Sequence, residues 1–316
     1  MRIAILADIH GNLPALEAVI AELEILQPDQ VVLNGDLING IPFSGPVIDA
    51  VRQRDWAVIR GNHEFYYLDF GTERAAPGCE DPQRWGQLHW LVEHLSPTQG
   101  AYLALLPDER TIYLPGLQPL VVAHGLPGRN RVGFHNDTPA DRIAAELAGI
   151  PFPNVVSAHT HVQIDRLIHA PAPPDEALIP PSPATAKRGF WRLVNPGSVG
   201  MPLNGDPRAQ FVILEDAPEQ QAPGGWRATF HRVAYDRRPA LAAYEESGMA
   251  AAGGAMTQLF YWQLATAEPE VIRFFRWAYE HGLDPDCAID DAFDAYRLGA
   301  GRAAYVRERD PLSAAH

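Results

Sequence analysis

Five clusters of aspartate, asparagine and histidine each follow a short apolar run in the first two thirds of the chain. These runs have the length of strands and are predicted to be strands. They cover residues 3–7, 31–33, 56–59, 120–123 and 155–158. The carboxyl ends of strands in an open α/β sheet meet at one edge, so the clusters are expected to converge. One such residue after a strand is commonly a turn former or helix cap, but five clusters in series predict a common site. Their members are Asp8 and His10, Asp36, Asn62 and His63, His124, and His159 and His161.

The spacing of apolar residues along the rest of the chain predicts an α/β fold. Leu13–Leu26 has apolar residues at helical spacing, and a second helical segment over 85–106 is interrupted by a proline. Further strands are predicted at 191–194, 211–214 and 228–233, as the antiparallel part of a second sheet. The predicted architecture is a four-layer αββα sandwich, in which helices flank two mixed sheets.

The last quarter of the chain has a different pattern. Alanine-rich helical segments follow Asp236, so we predict a main domain over 1–235 and a helical extension over 236–316 packed on it. The aromatic residues of the extension allow three roles: packing on the main domain, covering the site, or forming a homo-oligomer. The polar tail beyond Arg302 is expected to fray, and the proline-rich stretch 170–183 is predicted as a surface loop.

Charge, cysteine usage and hydropathy exclude several classes of function. The formal net charge of -14 repels polyanions, which argues against binding bulk nucleic acid. Cys79 and Cys287 are far apart in sequence, so neither a disulfide framework nor a thiolate metal site is predicted. No apolar run reaches the roughly 18 residues that span a bilayer, and the first residues lack the pattern of a secretion signal. We therefore expect a soluble, cytoplasmic protein that acts on a small ligand and has no membrane partner.

The residue types in the five clusters are those that bind metal ions. Alternate residues of an extended chain point the same way, so Asp8 and His10 are expected to share one ion. His159 and His161 have the same spacing. Carboxylate and amide oxygens combined with imidazole nitrogens favour Mn²⁺, Fe or Zn²⁺ over Ca²⁺. Mn²⁺ is the first choice for this site, with Fe, Zn²⁺ and Mg²⁺ as alternatives.

The order of these motifs resembles the calcineurin-like metallophosphoesterase superfamily. The resemblance rests on Asp8-Ile9-His10, Gly35-Asp36, Gly61-Asn62-His63-Glu64, His124-Gly125 and His159-Thr160-His161. The later segment Asn195-Pro196-Gly197-Ser198-Val199-Gly200 is similar to small bacterial phosphodiesterases of the YfcE type. The resemblance covers roughly residues 1–235.

The resemblance implies a site with two divalent metal ions. Asp8, His10 and His161 would hold the first ion, Asn62, His124 and His159 would hold the second, and Asp36 would bridge them. His63 matches the catalytic histidine of the family, which faces the substrate phosphate and binds no metal. The implied reaction is attack on phosphorus by a hydroxide that bridges the two ions.

Some positions depart from the family pattern or lie close to it. Asn39 and Gly40 stand where the protein-phosphatase branch carries Asp and Arg, which counts against a Ser/Thr protein phosphatase. Arg129 and Arg131 follow His124, where they could bind a substrate phosphate or remain solvated. Trp85 and its aromatic neighbours could line a substrate pocket or form a core stripe.

The expected function is hydrolysis of a small soluble phosphate monoester or diester, possibly nucleotide-like, by a metal-dependent enzyme. One alternative is a dinucleotide polyphosphate hydrolase, which would favour a more basic pocket. The other is a non-catalytic protein-interaction scaffold on the same fold, for which loss of ligand residues would be the sequence mark. No ligand position of the resemblance is lost in this sequence.

Overall fold

A computed structural model describes residues 1–169 and 189–313 of the chain. The stretch 170–183 that was predicted as a surface loop lies outside these residues. Within them the chain forms ten strands. Eight agree with the predicted strands to within a few residues, and the sequence analysis missed β4 and β7. They are β1 (Arg2–Leu6), β2 (Gln30–Asn34), β3 (Ala57–Ile59), β4 (Glu109–Ile112), β5 (Leu120–Ala123), β6 (Asn154–Val156), β7 (Gln163–His169), β8 (Phe190–Pro196), β9 (Ala209–Asp216) and β10 (Trp226–Val233).

Twelve α-helices lie within the same described residues. Proline occupies the start of several of them, where its missing N–H leaves no hydrogen bond unmade. The helices are α1 (Leu13–Leu26), α2 (Ser44–Arg52), α3 (Asn62–Asp69), α4 (Pro82–His94), α5 (Pro97–Leu105), α6 (Ala140–Leu147), α7 (Arg238–Glu246), α8 (Met249–Ala252), α9 (Gly254–Thr266), α10 (Glu270–Glu280), α11 (Ile289–Gly299) and α12 (Arg302–Arg309).

The strands form two five-stranded mixed sheets that pack face to face. The first sheet has the order β10-β9-β1-β2-β3, and the second has the order β4-β5-β6-β8-β7. β1, β2 and β3 run parallel in the first sheet, and β5, β6 and β8 run parallel in the second. Helices cover the outer face of each sheet, which confirms the predicted αββα sandwich.

Strand β1 shows how the layers are held together. Successive side chains of a strand point to opposite faces. Ile3 and Ile5 therefore pack in the apolar layer between the sheets, with β5 and β6 opposite. Ala4 and Leu6 point the other way and pack under α1 and its neighbours. All four side chains are fully buried, so β1 is a central strand with apolar contacts on both faces.

The predicted membership of the last three strands was wrong in part. β8 lies in the second sheet, but β9 and β10 belong to the first sheet. β9 pairs antiparallel with β1, with Ile3 opposite Leu214, and β10 pairs with β9. The apolar pattern of β9 predicts a strand but contains no information about its partner, because strand pairing is a long-range interaction.

The helices after Asp236 pack on the sandwich and share one apolar cluster with it. That cluster joins Ile41, Trp90 and Met201 to buried residues of α7, α9, α10 and α11. The Tyr244 hydroxyl donates to the Gly40 carbonyl oxygen at 2.6 Å, directly beside the end of β2. The division into a domain over 1–235 and an extension over 236–316 stays a prediction.

The prediction that the tail frays beyond Arg302 was wrong. Residues 302–309 form α12, and Val306 on its inner side is buried. The Arg302 guanidinium and the Tyr305 hydroxyl bind the carboxylates of Glu268 and Glu270. These ion pairs and hydrogen bonds hold α12 against the rest of the protein, although it has few apolar residues. Its polar side chains therefore indicate polar contacts with other residues and not a frayed end. Across the described residues, no helix has the length and apolar character needed to cross a membrane.

Candidate metal centre

The predicted ligands converge where parallel strands of both sheets end. Three clusters follow the adjacent strands β1, β2 and β3, and two follow the adjacent strands β5 and β6. Because the sheets pack face to face, the two sets lie opposite each other across one edge of the sandwich. Three overlapping groups of ligand atoms lie within 4.8 Å: Asp8, His10 and His161; His10, Asp36 and His63; and Asp36, His124 and His159.

The first set of ligand atoms surrounds the Asp8 carboxylate. Asp8 Oδ1 lies 3.4 Å from His161 Nε2 and 3.9 Å from His10 Nε2. The two Nε2 atoms of His10 and His161 are 3.1 Å apart. Such a separation between two ring nitrogens suits two ligands of one cation, because metal–nitrogen bonds of about 2.0–2.1 Å bring neighbouring ligands this close.

The second set surrounds the Asn62 amide oxygen. Asn62 Oδ1 lies 2.8 Å from His159 Nδ1 and 3.1 Å from His124 Nε2. Asp36 lies between the two sets, with its Oδ2 3.1 Å from His124 Nε2 and 3.7 Å from His10 Nε2. The Asp36 carboxylate is therefore within reach of ligands from both sets.

Three of the histidine rings are fixed by backbone carbonyl oxygens. Nδ1 of His10, His124 and His161 faces the carbonyl oxygens of Asn39, Asn34 and Met201, at 3.0, 2.9 and 2.6 Å respectively. A carbonyl oxygen can only accept, so each Nδ1 carries the hydrogen, and in the neutral ring Nε2 presents a lone pair to the site. In metal-binding histidines, the ring nitrogen that does not bind the metal usually donates such a hydrogen bond.

Five of the seven predicted ligands have a left-handed backbone, with φ between 52° and 67°. Non-glycine residues rarely adopt this region, and such residues cluster at functional sites at a cost of order 1–3 kcal/mol each. The explanation by alternation in an extended strand was therefore wrong, since the backbone of Asp8 and His10 curls away from strand geometry. The five residues are Asp8, His10, Asp36, His159 and His161.

The loop after β1 is held in this curled shape by the loop after β2. The backbone N–H groups of Asp8, His10 and Gly11 donate to the carbonyl oxygens of residues 35, 36 and 37 at 3.1, 2.9 and 2.8 Å. Two neighbouring loops thus place their side chains by hydrogen-bonding to each other. This pairing is a property of the sheet order and was not visible in the local pattern.

The electrostatics of the site fit bound cations. Both carboxylate oxygens of the fully buried Asp8 have no hydrogen-bond partner among residues 1–169 and 189–313, and burial raises the pKa of this carboxyl well above its usual value. Burial lowers the pKa of His161 to about 3 and that of His159 to about 4, so both rings are neutral ligands at neutral pH. A divalent cation would compensate the carboxylates and accept the lone pairs, so the donor set fits Mn²⁺, Fe or Zn²⁺.

The amino-acid sequence of residues 1–163, just over half of the chain, matches the family described as calcineurin-like phosphoesterase. This chain belongs to that family. The predicted resemblance is thereby confirmed. Members of the calcineurin-like phosphoesterase family typically bind divalent metals, in agreement with the ligand groups at the edge of the sandwich.

Known proteins similar to this calcineurin-like phosphoesterase share much of its length. A metallophosphoesterase from Sphaerobacter thermophilus is 27% identical with a TM-score of 0.56, and the match covers 80% of this chain and 99% of that one. A hypothetical protein from Pyrococcus horikoshii is 19% identical with a TM-score of 0.60, over 78% of this chain and 94% of that one, which shows the fold alone. An uncharacterized protein of Methanocaldococcus jannaschii is 21% identical over 68% of this chain and 82% of its own length.

His63 lies at the start of α3, beside the ligand groups. Its backbone N–H donates to Asp36 Oδ1 at 2.8 Å, and its ring nitrogen Nε2 is 4.0 Å from Asp36 Oδ2. The side chain is 14% exposed, whereas the Asp36 side chain is 1% exposed, so the ring lies between the buried carboxylate and solvent. This position agrees with the histidine that the family resemblance places next to the substrate.

Glu64 organises the site, although the sequence analysis gave it no role. Its fully buried carboxylate accepts from the backbone N–H groups of Asp36 and Gly61 at 2.9 and 2.6 Å, and of Leu37 and Ile38 at 2.8 and 3.3 Å. Glu64 thus fixes the loop after β2 to the start of α3. A glutamate three residues after the N-cap residue Gly61 commonly accepts from the N-cap backbone N–H, and this signal could have identified it.

The segment 195–200 fixes the loops after β1 and β6, another role that sequence analysis left open. The Ser198 hydroxyl donates to the Asp8 carbonyl oxygen at 2.7 Å. The Asn195 amide donates to the Ala158 carbonyl oxygen and the Thr160 hydroxyl, both at 3.0 Å. A Cβ on Gly200 would lie 1.7 Å from the Ile9 carbonyl oxygen, so only glycine fits there. The segment is therefore a support for the ligand loops.

Arg129 and Arg131 occupy different surroundings. Arg129 binds the Glu146 carboxylate at 2.5 Å, away from the ligand groups. The Arg131 guanidinium lies 4.6 Å from the centre of the Tyr66 ring. Burial is the main reason that the pKa values of His63 and His159 are lowered, and the charge of Arg131 lowers both further, which indicates that its guanidinium is near these rings.

We predict that Glu64→Gln lowers the free energy of unfolding by about 2–4 kcal/mol. The amide nitrogen that replaces one carboxylate oxygen cannot accept, so two buried backbone N–H groups lose their acceptor. Urea unfolding measures the loss. Glu93→Gln, at an exposed carboxylate of α4, is the matched control, with an expected change within about 0.5 kcal/mol. Equal unfolding midpoints for the two variants would contradict the organising role of Glu64.

Proposed function

We propose that the protein is a dinuclear metal-dependent hydrolase of a small soluble phosphate ester. The observation that carries the proposal is the arrangement of two ligand groups around the buried Asp36 carboxylate. The unpartnered carboxylate oxygens of Asp8 support it, because an ionised carboxylate buried without a partner is strongly unfavourable unless a cation compensates it. Membership of the calcineurin-like phosphoesterase family supports the reaction type.

In this proposal the two ligand groups hold one ion each. Asp8, His10 and His161 would bind the first ion, and Asn62, His124 and His159 would bind the second. Asp36 would be shared by both ions, since its carboxylate lies between the two groups. The short distances from Asp36 Oδ2 to His124 and His10 support this bridging role.

Two divalent ions at this place supply an activated water nucleophile at neutral pH and neutralise the charge of the phosphoryl oxygens. His63 donates a proton from its ring to the oxygen of the leaving group. Its side chain supports this role because it lies between the ligand groups and solvent. Burial lowers the pKa of His63 in the free protein.

We further propose Mn²⁺ as the ion, a cytoplasmic setting and a nucleotide-like ester as substrate. The mixed oxygen and nitrogen donors support Mn²⁺. Residues 236–316 act in this proposal as an extension packed on the catalytic domain, which the shared apolar cluster supports. Ile272, Tyr279 and Leu298 of the extension are exposed, and they support association of two copies through these helices.

Metal dependence is the first test of the proposal. We expect metal-stripped protein to be inactive towards bis-p-nitrophenyl phosphate and p-nitrophenyl phosphate, and Mn²⁺ to restore hydrolysis of at least one. Release of p-nitrophenol measures the rate, with Zn²⁺ and Mg²⁺ compared at equal concentration. The better substrate distinguishes a diesterase from a monoesterase. Two bound ions without hydrolysis of any ester would instead favour the non-catalytic scaffold.

The roles of His63 and Asp36 are separable by measuring metal content and turnover together. His63→Ala is expected to keep both ions and to lose turnover by about 10²–10⁴-fold, because only proton transfer is removed. Asp36→Asn is expected to lose metal as well as activity. Inductively coupled plasma mass spectrometry gives the metal content of each variant. Unchanged kcat in a fully loaded His63→Ala would remove His63 from the mechanism.

Arg131 is proposed to bind the substrate phosphate. Its side chain is exposed, and it has no carboxylate partner in the described parts of the chain, 1–169 and 189–313. Stacking on Tyr66 holds the guanidinium plane, so its donors remain free for a phosphoryl oxygen. Such a contact would replace the arginine that the protein-phosphatase branch carries where this chain has Gly40.

We expect Arg131→Ala to lower kcat/KM by about 10- to 100-fold, the value of a charge-assisted hydrogen bond. Arg129→Ala, in the same loop but paired with Glu146, is the matched control and should change kcat/KM by less than about twofold. Competitive inhibition by inorganic phosphate provides a second measurement, since its inhibition constant should rise only in Arg131→Ala. Equal inhibition constants in both variants would contradict phosphate binding by Arg131.

A further inference from the structure

A cleft of about 230 Å³ opens beside His63, between the catalytic face and the C-terminal helices. We call it the ring cleft. Its walls come from both parts of the chain, with Tyr66 and Trp85 on one side and Met256, Phe260 and Phe275 on the other. The second wall consists of residues of α9 and α10, which are not part of the sandwich. The extension therefore shapes the space next to the residue that we propose as proton donor.

The aromatic rings of the ring cleft form a nearly continuous edge-to-face series. The centres of the Tyr66 and Trp85 rings are 5.1 Å apart, and those of His63 and Phe260 are 6.5 Å apart. His63 and Tyr66 are 5.3 Å apart, which connects the two pairs. Aromatic walls of this kind favour a flat ring, because offset and edge-to-face contacts between rings stabilise binding beyond simple burial.

The same cleft contains buried polar atoms that have no hydrogen-bond partner among residues 1–169 and 189–313. They are both amide atoms of Asn39, Oε1 of Gln87 and the indole Nε1 of Trp85. Asn39 is 1% exposed and Gln87 is 3% exposed. A buried polar group without a partner is unfavourable, so several of them in residues of one cleft point to a ligand that supplies partners.

We propose that the ring cleft binds a nitrogen heterocycle, such as a nucleobase, carried by the leaving group of the substrate. The four polar atoms have almost no accessible surface in the free protein, so the ring would reach them only by shifting the side chains that line the cleft. Asn39 Nδ2 and Trp85 Nε1 would then donate to ring acceptors, while Asn39 Oδ1 and Gln87 Oε1 would accept from an exocyclic amine. This substrate class rests on the proposed phosphoesterase function, because His63 connects the cleft to the reacting phosphate. The asparagine at position 39 thus serves substrate recognition where the protein-phosphatase branch uses an acid.

The size of the ring cleft limits the substrate further. An apolar cavity of about 150 Å³ accepts one benzene ring, and drug-sized ligands occupy about 300–1,000 Å³. A cleft of about 230 Å³ lies between these values and suits a single ring system. The ring cleft therefore accepts one ring system of the leaving group.

The proposal is tested first by binding to metal-stripped protein, which needs no turnover. Isothermal titration calorimetry with adenosine is expected to show saturable binding, while ribose shows none. Gln87→Met removes the amide and keeps the volume, and Phe260→Ala removes one wall, so each should weaken adenosine about three- to tenfold. Tyr113→Ala, at an exposed aromatic residue that does not line the cleft, is the matched control and should leave the Kd unchanged.

Adenosine that binds no better than ribose, or with the same Kd in both cleft variants, would overturn the proposal. Thermal melts of each variant establish that it is folded, and two independent variants keep the test informative if one is not. Turnover with Mn²⁺ then separates the two proposals. Equal kcat/KM for adenosine monophosphate and glycerol phosphate would reject the ring cleft and keep the phosphoesterase. Ring-dependent binding without hydrolysis of any ester would reject the phosphoesterase and keep the cleft.

Discussion

Two carboxylates lie buried among histidine rings where five strands end, and the surrounding structure serves to hold them there. Asp8 and Asp36 are almost without solvent contact, and a dry carboxylate is very unfavourable unless a cation or a dense set of donors compensates it. The loops around them adopt left-handed backbone conformations that are unfavourable by themselves. Such an arrangement persists only if the rest of the fold determines it, which is what the supporting hydrogen bonds achieve.

The supporting hydrogen bonds come mainly from side chains that do not face the metal site. Glu64 gathers four backbone N–H groups from the loops after β2 and β3. The segment 195–200 fixes the loops after β1 and β6 through Ser198 and Asn195. Glycine also allows the loops to approach closely, since a Cβ on Gly61 would lie 2.2 Å from Asp36 Oδ1. The ligand groups are therefore preorganised by buried hydrogen bonds and by glycines where loops touch.

The C-terminal helices form one wall of the ring cleft beside His63. Their apolar cluster includes Ile41, in the loop that carries Asp36, and Met201, whose carbonyl oxygen faces His161 Nδ1. Gly86 of α4 lies so close to the extension that a Cβ there would be 2.5 Å from the Gly253 Cα. This tight contact places Phe260 near His63, and the wall of the ring cleft follows from it. The helices thereby restrict the space next to His63.

The sequence by itself predicted eight of the ten strands, most helices and the candidate ligand residues, because apolar periodicity and polar residue types are local properties. Asp8, Asp36 and His124 could be selected because each lies within three residues of the end of an apolar run. Only the tertiary structure decided the partners of β9 and β10, the left-handed backbone at the ligands and the helix over 302–309. It also placed the Glu64 carboxylate against the loops after β2 and β3, and Asn39 at the ring cleft. These features depend on contacts between residues far apart in the chain, and a local pattern contains no record of such contacts.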